Sequence, residues 1–323
     1  MSDCRLITIS ELLKRKGIDL SPCMCFGLSE GYDFNYWIEK EIKVPLLVIV
    51  GKNQNENLLF DNLNIQYKEI DSGIDIDILI NDGENLMIDV DRYYLDYIGN
   101  KFGRTHFGKH ALLISKSDEY NYSCFDALDK NVSLISREIV SKARTSDIKP
   151  FPPDSHGVYL LSDSSAIIDK EYILRIISKN MNSFLSSNEH GIIKIKSFIR
   201  QLELIASMVN NGKYAVFFNV QLEFLCKYIR EFESTQSFYR LVYCDFLKEI
   251  NDKYALLIDN NIDLCLKLGD VWHTIGIEMD DMKKRNISMS DKIKQIISRL
   301  YAVNDLEREF AEKMIESCRY LLY

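Results

Sequence analysis

Residues 89–126 read "DVDRYYLDYIGNKFGRTHFGKHALLISKSDEYNYSCFD". His110 opens an apolar run that continues to Ile114, and Asp126 follows a second, aromatic-rich run from Tyr120 to Phe125. Two short apolar runs with polar residues between them predict a β-hairpin. The start of one hairpin strand lies beside the end of its antiparallel neighbour, so we expect the His110 ring to reach the Asp126 carboxylate.

A histidine held by a carboxylate is two thirds of a nucleophilic triad, and we identify Cys4 as the candidate nucleophile. Asp3 is a helix-capping residue type, and the apolar residues that follow have helical spacing up to Gly17. Cys4 is therefore expected in the first turn of a helix, where backbone N–H groups and the positive end of the dipole favour a thiolate. The alternative is that Cys4 is an ordinary buried thiol.

Composition narrows the class of protein. A chain of 323 residues with 46% hydrophobic and 11% aromatic residues is expected to fold into two globular domains. Its net charge of −8 argues against a general nucleic-acid binder. We expect no membrane span and no secretory signal, because no apolar run is long enough. The eight cysteines are scattered, which suggests reduced thiols in the cytoplasm.

The pattern of the chain changes near residue 160. Prolines cluster at 150–153, and none follows Ser162. Helical periodicity is then predicted over 166–186, 192–210, 215–232, 238–250, 256–283 and 288–322. We therefore predict an α+β protein, with a mixed domain over residues 1–160 and a helical bundle over residues 161–323 packed on it. Within the first domain, strands are expected at 45–51 and 158–161 and a helix at 135–145, with a strand, a helix and a strand over 52–88.

A substrate pocket is suggested by an aromatic stretch, residues 21–37, which Gly27 and Gly31 interrupt. Its members Tyr32, Phe34 and Tyr36 could line an acyl-binding pocket, or they could form a glycine-bent wall of the core. Asp89 and Asp91 fall on one side of a strand and could hold a cation, although such a pair is more often a solvated strand end. The predicted substrate pocket comprises Tyr32, Phe34, Tyr36, Asp91 and Tyr93.

No metal site is expected. Cys23 and Cys25 lack a second pair of ligands at a suitable spacing. His106 precedes His110 by four residues, but Gly103 and Gly108 argue against a helix there, and no third ligand is evident.

Taken together, the motifs resemble those of the butirosin-pathway acyltransferase family, a branch of the papain-like cysteine peptidase superfamily. They are Cys4, "GLSEGYDFNY" at 27–36, "DRYYLDY" at 91–97, His110 with Asp126, and the pair Ala143-Arg144. Their order covers residues 1–160, and the helical second half is similar to the C-terminal region of that family. The resemblance implies a papain-like cysteine protease-type N-terminal domain followed by an all-helical domain.

The resemblance also implies an activity. Such proteins take an acyl group from the phosphopantetheine thioester of a carrier protein onto their own cysteine, and then pass it to an amine. Here Cys4 would be acylated, His110 would move protons, and Asp126 would fix the tautomer of His110. No cofactor is implied. A basic run at 14–16 or at 283–285 could dock the acidic carrier protein.

One departure concerns the oxyanion hole. Papain-like peptidases place a glutamine several residues before the cysteine, but only three residues precede Cys4. Backbone N–H groups of Cys4 and Arg5 are expected to serve instead. Two other functions stay open: a cysteine peptidase or amidohydrolase that uses the same triad with water as acceptor, and a non-catalytic binding protein in which Cys4 is inert.

Overall fold

The computed structural model describes residues 3–40, 46–53, 55, 57–98, 106–128, 132–149, 151–161, 168–208, 212–229, 237–284 and 288–322. The strands in these ranges are β1 (Tyr32–Glu39), β2 (Leu46–Lys52), β3 (Tyr67–Ile70), β4 (Leu86–Val90), β5 (His110–Ser117), β6 (Asn121–Phe125), β7 (Val132–Ser136) and β8 (Gly157–Leu160). The helices are α1 (Cys4–Arg15), α2 (Pro22–Leu28), α3 (Asn57–Asn62), α4 (Ile76–Asn81), α5 (Arg137–Arg144), α6 (Lys170–Ser186), α7 (Ile192–Met208), α8 (Gly212–Lys227), α9 (Arg240–Tyr254), α10 (Asp259–Lys284) and α11 (Met289–Leu322), with a 3-10 turn at Arg92–Tyr94. The predicted α+β class is confirmed.

Contacts between residues divide the chain into two compact units. The sheet unit comprises Ser2–Cys25 and Leu59–Ile167, and the helical unit comprises Phe26–Leu58 and Ile168–Tyr323. The last break, between residues 167 and 168, falls close to the boundary predicted at residue 160. Residues 26–58, however, group with the helices, because β1 and β2 pair with each other and bond to that unit. Gln221 accepts the Leu47 N–H at 2.6 Å, and the Gly191 N–H is donated to the Phe34 carbonyl.

The sheet unit is built on six antiparallel strands in the order β3-β8-β4-β5-β6-β7. The predicted hairpin is confirmed: β5 pairs with β6, with Leu113 opposite Phe125. His110 is the first residue of β5 and lies opposite Val90 of β4. Asp126 directly follows β6. The two residues therefore reach the same end of the sheet.

Apolar side chains at alternate positions of the central strands form the core of the sheet unit. One face of β4 and β5 buries Leu86, Ile88, Val90, Leu112 and Ile114. Helices α4 and α5 cover this face with Ile76, Ile80, Val140 and Ala143. Each fully buried aliphatic side chain of this kind stabilises the fold by about 1.5–3 kcal/mol relative to exposure. The core therefore fixes the strands that carry His110.

Two local predictions need correction. The helix expected over 135–145 begins at Arg137, because Ile135 and Ser136 end β7 and the Ser136 hydroxyl caps the helix by accepting the Ile139 N–H. Residues 52–88 contain α3, β3, α4 and β4 rather than one strand, one helix and one strand. Asp75 caps the extra helix α4 by accepting the Asp77 N–H. The strands predicted at 45–51 and 158–161 correspond to β2 and β8.

The helical unit combines the β1–β2 hairpin with α6 to α11, close to the helical segments predicted from periodicity. Its interior contains an ion pair, Arg240 with Glu307, and both side chains are fully buried. The Arg240 guanidinium also donates to the carbonyls of Asp33 and Gly51. Among the described residues, no helix combines the length and the apolar character that crossing a membrane requires.

Candidate functional site

Cys4 is the first residue of α1, as predicted. The Asp3 carboxylate caps the helix by accepting the Leu6 N–H at 2.8 Å, and the Asp3 carbonyl accepts the Ile7 N–H at 3.2 Å. The N–H groups of Cys4 and Arg5, which precede these two amides, stay the predicted oxyanion donors. The Cys4 side chain is half-buried, whereas the other seven cysteines are buried.

His110 and Asp126 form a buried hydrogen-bonded pair. His110 Nε2 lies 2.9 Å from Asp126 Oδ2, and both residues are 2% exposed. The other carboxylate oxygen, Oδ1, accepts the Leu128 N–H at 2.8 Å. Since Nε2 faces the carboxylate, Nδ1 is the ring nitrogen left for the Cys4 thiol, which lies within hydrogen-bonding reach of the ring.

The electrostatics of this group favour a protonated histidine. Burial alone would lower the pKa of His110, but the negative charge of Cys4 and the hydrogen bonds with Asp126 and Cys4 raise this pKa to about 10. Burial would raise the pKa of Asp126, yet the hydrogen bond and charge of His110, aided by the Tyr97 hydroxyl, lower it below its usual value. At neutral pH the arrangement therefore pairs an imidazolium with a carboxylate, and the Cys4 sulfur lies beside the ring.

Two contacts tie the start of α1 to the sheet. The Arg5 guanidinium forms a salt bridge with the buried Asp89 carboxylate of β4. The Thr8 hydroxyl bonds the Cys4 carbonyl at 2.7 Å and lies 3.5 Å from the carbonyl of Ala111, the residue after His110. Burial would raise the pKa of Asp89, but the Arg5 charge and the His156 contact hold it below its usual value. Asp89 is therefore not a solvated strand end.

Asp91 was predicted to contact substrate, and the structure assigns it a different role. Its Oδ1 accepts the backbone N–H groups of Tyr93 and Phe107, and its Oδ2 is 2.7 Å from both His106 Nδ1 and the Ser146 hydroxyl. Four donors fill the lone pairs of a carboxylate. Asp91 is also only 1% exposed, so it organises the surrounding loops and has no acceptor site to offer a substrate.

The other predicted pocket residues do not lie together in one unit. Tyr32 and Phe34 belong to the core of the helical unit, where Tyr32 bonds Glu307 and stands under the Arg240 guanidinium. Tyr36 packs on α7 of the same unit, with its hydroxyl 2.9 Å from that of Ser197. For Tyr32 and Phe34, the alternative of a core wall is the better description. Tyr93, in the sheet unit, is 39% exposed and stacks on the His106 ring.

The sequence reasoning missed two residues of this site, Arg92 and Tyr97. Burial lowers the pKa of Arg92, while the charges of Cys4 and Asp91 act in the opposite direction, so a guanidinium lies within the electrostatic range of the thiol. It stands over the Phe107 ring at 5.2 Å. The Tyr97 hydroxyl donates to Asp126 Oδ2 at 2.6 Å. Both residues belong to the motif "DRYYLDY". Their polar groups, placed among aromatic residues, were the only pattern in this motif that could have indicated a role in the site.

Two buried thiols elsewhere in the described residues have raised pKa values. Burial raises the pKa of the Cys124 and Cys318 thiols to about 12. In the part of the chain that the structure describes, no group of three or more His, Cys, Asp and Glu side chains is arranged to hold a metal ion.

Comparison with known proteins gave one family. Residues 3–127 match the model of the family described as butirosin biosynthesis protein H, N-terminal. This range contains Cys4, His110 and Asp126, and it ends one residue after the aspartate. A search of curated proteins returned no match to the chain.

Proposed function

We propose, from the match of residues 3–127 to the family described as butirosin biosynthesis protein H, N-terminal, that the chain is a cysteine-dependent acyltransferase of a biosynthetic pathway. Its acyl donor would be a thioester on the phosphopantetheine arm of a carrier protein, and its acceptor an amine. The product would be an amide, as in nonribosomal peptide and antibiotic assembly. Amide-forming transacylation in closthioamide assembly is analogous chemistry.

One observation supports this proposal: within the sheet unit, His110 bonds Asp126 and lies within hydrogen-bonding reach of Cys4. His110, whose pKa is raised to about 10, bonds the Asp126 carboxylate and lies within reach of the Cys4 sulfur, which is the arrangement that a cysteine nucleophile with a histidine partner requires. A cysteine at the start of a helix that packs on an antiparallel sheet bearing the histidine also supports a papain-like domain.

The first half-reaction is transfer to the enzyme. The Cys4 thiolate attacks the thioester carbonyl, and the oxyanion is stabilised by the N–H groups at the start of α1. The carbon–sulfur bond of the donor then breaks. Phosphopantetheine leaves as a thiol with the proton of His110, and Cys4 becomes a thioester.

The second half-reaction is transfer to the amine. The now neutral His110 accepts the proton of the attacking amine, the carbon–nitrogen bond forms, and Cys4 leaves as thiolate beside a protonated His110. Asp126 keeps the ring in one orientation through both steps. Atoms and charges balance without any cofactor or metal.

Water is the competing acceptor, and its use would make the protein a peptidase or amidohydrolase. The pair of His110 and Asp126 is 2% exposed and Cys4 is half-buried, so the geometry limits the access of water to the acyl group. This burial favours transfer over hydrolysis.

The proposed partner needs a docking surface, and the basic runs predicted for it give little support. In the run at 14–16, Arg15 bonds Glu11 and Asn85, and Lys16 bonds Glu84. The side chains of the run at 283–285 lie outside the described residues. The eight free cysteines fit a reducing compartment, and we therefore propose a cytoplasmic location.

The proposal is tested by measuring how the acyl group is divided between an amine and water. Aliphatic, aromatic and aminoacyl thioesters of N-acetylcysteamine would be incubated with the protein and a panel of primary amines, and the amide and the free acid would be quantified. We expect amide to exceed acid with at least one pair of donor and amine. Release of acid alone would identify a hydrolase, and identical yields with the Cys4→Ala variant would exclude catalysis by this site.

A further inference from the structure

We propose that Tyr97 is a positioning residue of this site, one that holds the Asp126 carboxylate in the orientation in which it stabilises the imidazolium of His110. This inference rests on the proposed function, because it assigns a role within the Cys4, His110 and Asp126 series.

The hydrogen bonds around Asp126 define the role. Oδ2 accepts both the Tyr97 hydroxyl at 2.6 Å and His110 Nε2 at 2.9 Å. Oδ1 accepts the Leu128 N–H at 2.8 Å. The Leu128 amide and the Tyr97 hydroxyl therefore bind the two oxygens from outside the catalytic series, and together they fix the rotation of the carboxylate about its Cβ–Cγ bond.

The backbone around Tyr97 keeps the phenol in place. Leu95 and Ile98, on either side of the Asp96-Tyr97 pair, are both buried in the core of the sheet unit. The Ile98 N–H is donated to the Leu95 carbonyl at 3.1 Å, which closes a turn around the tyrosine. Tyr97 is 37% exposed, whereas Asp126 is 2% exposed. The side chain thus extends from a fixed surface turn to a buried carboxylate.

Loss of the hydroxyl has a defined electrostatic consequence. The terminal torsion of an aspartate is soft, so a carboxylate held only by Leu128 and His110 samples orientations that weaken its bond to the ring. His110 is buried, and burial by itself lowers its pKa. Whenever the carboxylate turns away, the imidazolium is destabilised, and the pKa of His110 falls. The net contribution of one ordinary hydrogen bond corresponds to roughly a three- to tenfold change in the acid dissociation constant of His110.

The test is the pH profile of Cys4 alkylation by iodoacetamide, which requires no knowledge of the acyl substrate. Modification of the Cys4 peptide would be followed by mass spectrometry from pH 5 to 11 in the wild type, in Tyr97→Phe and in Tyr120→Phe. Tyr120 is a matched control, because it is 69% exposed on the turn between β5 and β6. The Tyr97→Phe variant keeps the ring, so the fold should be retained, and circular dichroism would verify this.

The wild type should show a plateau of Cys4 alkylation whose upper limit is the deprotonation of His110 near pH 10. In Tyr97→Phe we expect this upper limit to move to lower pH by roughly 0.5 to 1 pH unit. Tyr120→Phe should match the wild type. An unchanged profile for Tyr97→Phe, or an upper limit at higher pH, would overturn the positioning role.

A double variant checks that Tyr97 acts through Asp126. If it does, Tyr97→Phe should have no further effect in the Asp126→Asn background, because the two changes remove the same interaction. Equal losses in both backgrounds would contradict the inference. A wild-type profile without a plateau would instead remove the ion pair on which the proposed function depends, so the two failures are distinguishable.

Discussion

His110 keeps its proton at neutral pH because two negative groups outweigh the effect of its burial. Desolvation disfavours the imidazolium, whereas Cys4 and Asp126 favour it. A site of this type depends on each negative partner. Single substitutions of these partners should therefore have large effects on the rate of acyl transfer.

The substitution Asp126→Asn removes one of the two negative partners and retains the volume of the side chain. The amide can donate to Nε2 and so favours the wrong tautomer, and we expect the rate of acyl transfer to fall by about 10²–10⁴-fold. The measurement is turnover of an acyl thioester with an amine. Asp118→Asn is the matched control, since Asp118 caps the exposed turn of the same hairpin. Wild-type turnover by Asp126→Asn would assign Asp126 a purely structural role.

The same variant has a predicted pH signature in thermal unfolding. The raised pKa of His110 contributes stability that is complete below its unfolded value near 6.5 and is lost as pH rises through about 10. The lowered pKa of Asp126 contributes stability that is lost as pH falls below 3.8. The difference in Tm between the wild type and Asp126→Asn should therefore be largest between about pH 4 and 6.5 and shrink at both extremes.

At the scale of elements, the sequence was sufficient for the two that carry the candidate triad. A capping aspartate with apolar residues at helical spacing predicted α1, and two apolar runs predicted the hairpin of β5 and β6. Both signals are local. The role of Asp91 could not be predicted in this way, because its partners His106, Phe107 and Ser146 are distant in sequence and are brought together only by the folded loops.

Gly108 is an element-scale determinant of the position of His110. Its N–H is donated to the Phe151 carbonyl at 2.6 Å, and a Cβ at this position would lie 2.3 Å from the Pro153 nitrogen. No side chain fits there, so Gly108→Ala should displace the segment that enters β5. A displacement of about 1 Å at His110 could lower the rate of acyl transfer by roughly 10²-fold.

Activity and Tm of Gly108→Ala would be compared with those of Gly73→Ala. Gly73 lies in an exposed turn, where the nearest atom to an added Cβ is a carboxylate oxygen of Asp71 at 3.2 Å. This control should retain activity. Full activity in Gly108→Ala would show that the approach to β5 adapts without moving the histidine.

At the scale of the whole molecule, periodicity predicted the helices after residue 168 but not the membership of residues 26–58. Their aromatic side chains suggested a pocket in the first domain, yet Tyr32 and Phe34 fill the core of the helical unit around Arg240 and Glu307. A buried ion pair between residues 67 positions apart leaves no pattern in one sequence. The aromatic stretch was recognised, but its environment required the structure.

The central claim is that Cys4 carries the acyl group, and intact-mass analysis tests it most directly. The protein would be incubated with an acylated carrier protein or an acyl-pantetheine thioester, without an amine. We predict one added acyl group, located on the peptide that contains Cys4, stable in water and lost with formation of an amide when the cognate amine is added. Cys4→Ala should abolish the adduct and Cys124→Ala should retain it, because burial raises the pKa of Cys124 to about 12. An adduct on another cysteine, or amide formation by Cys4→Ala, would contradict the account.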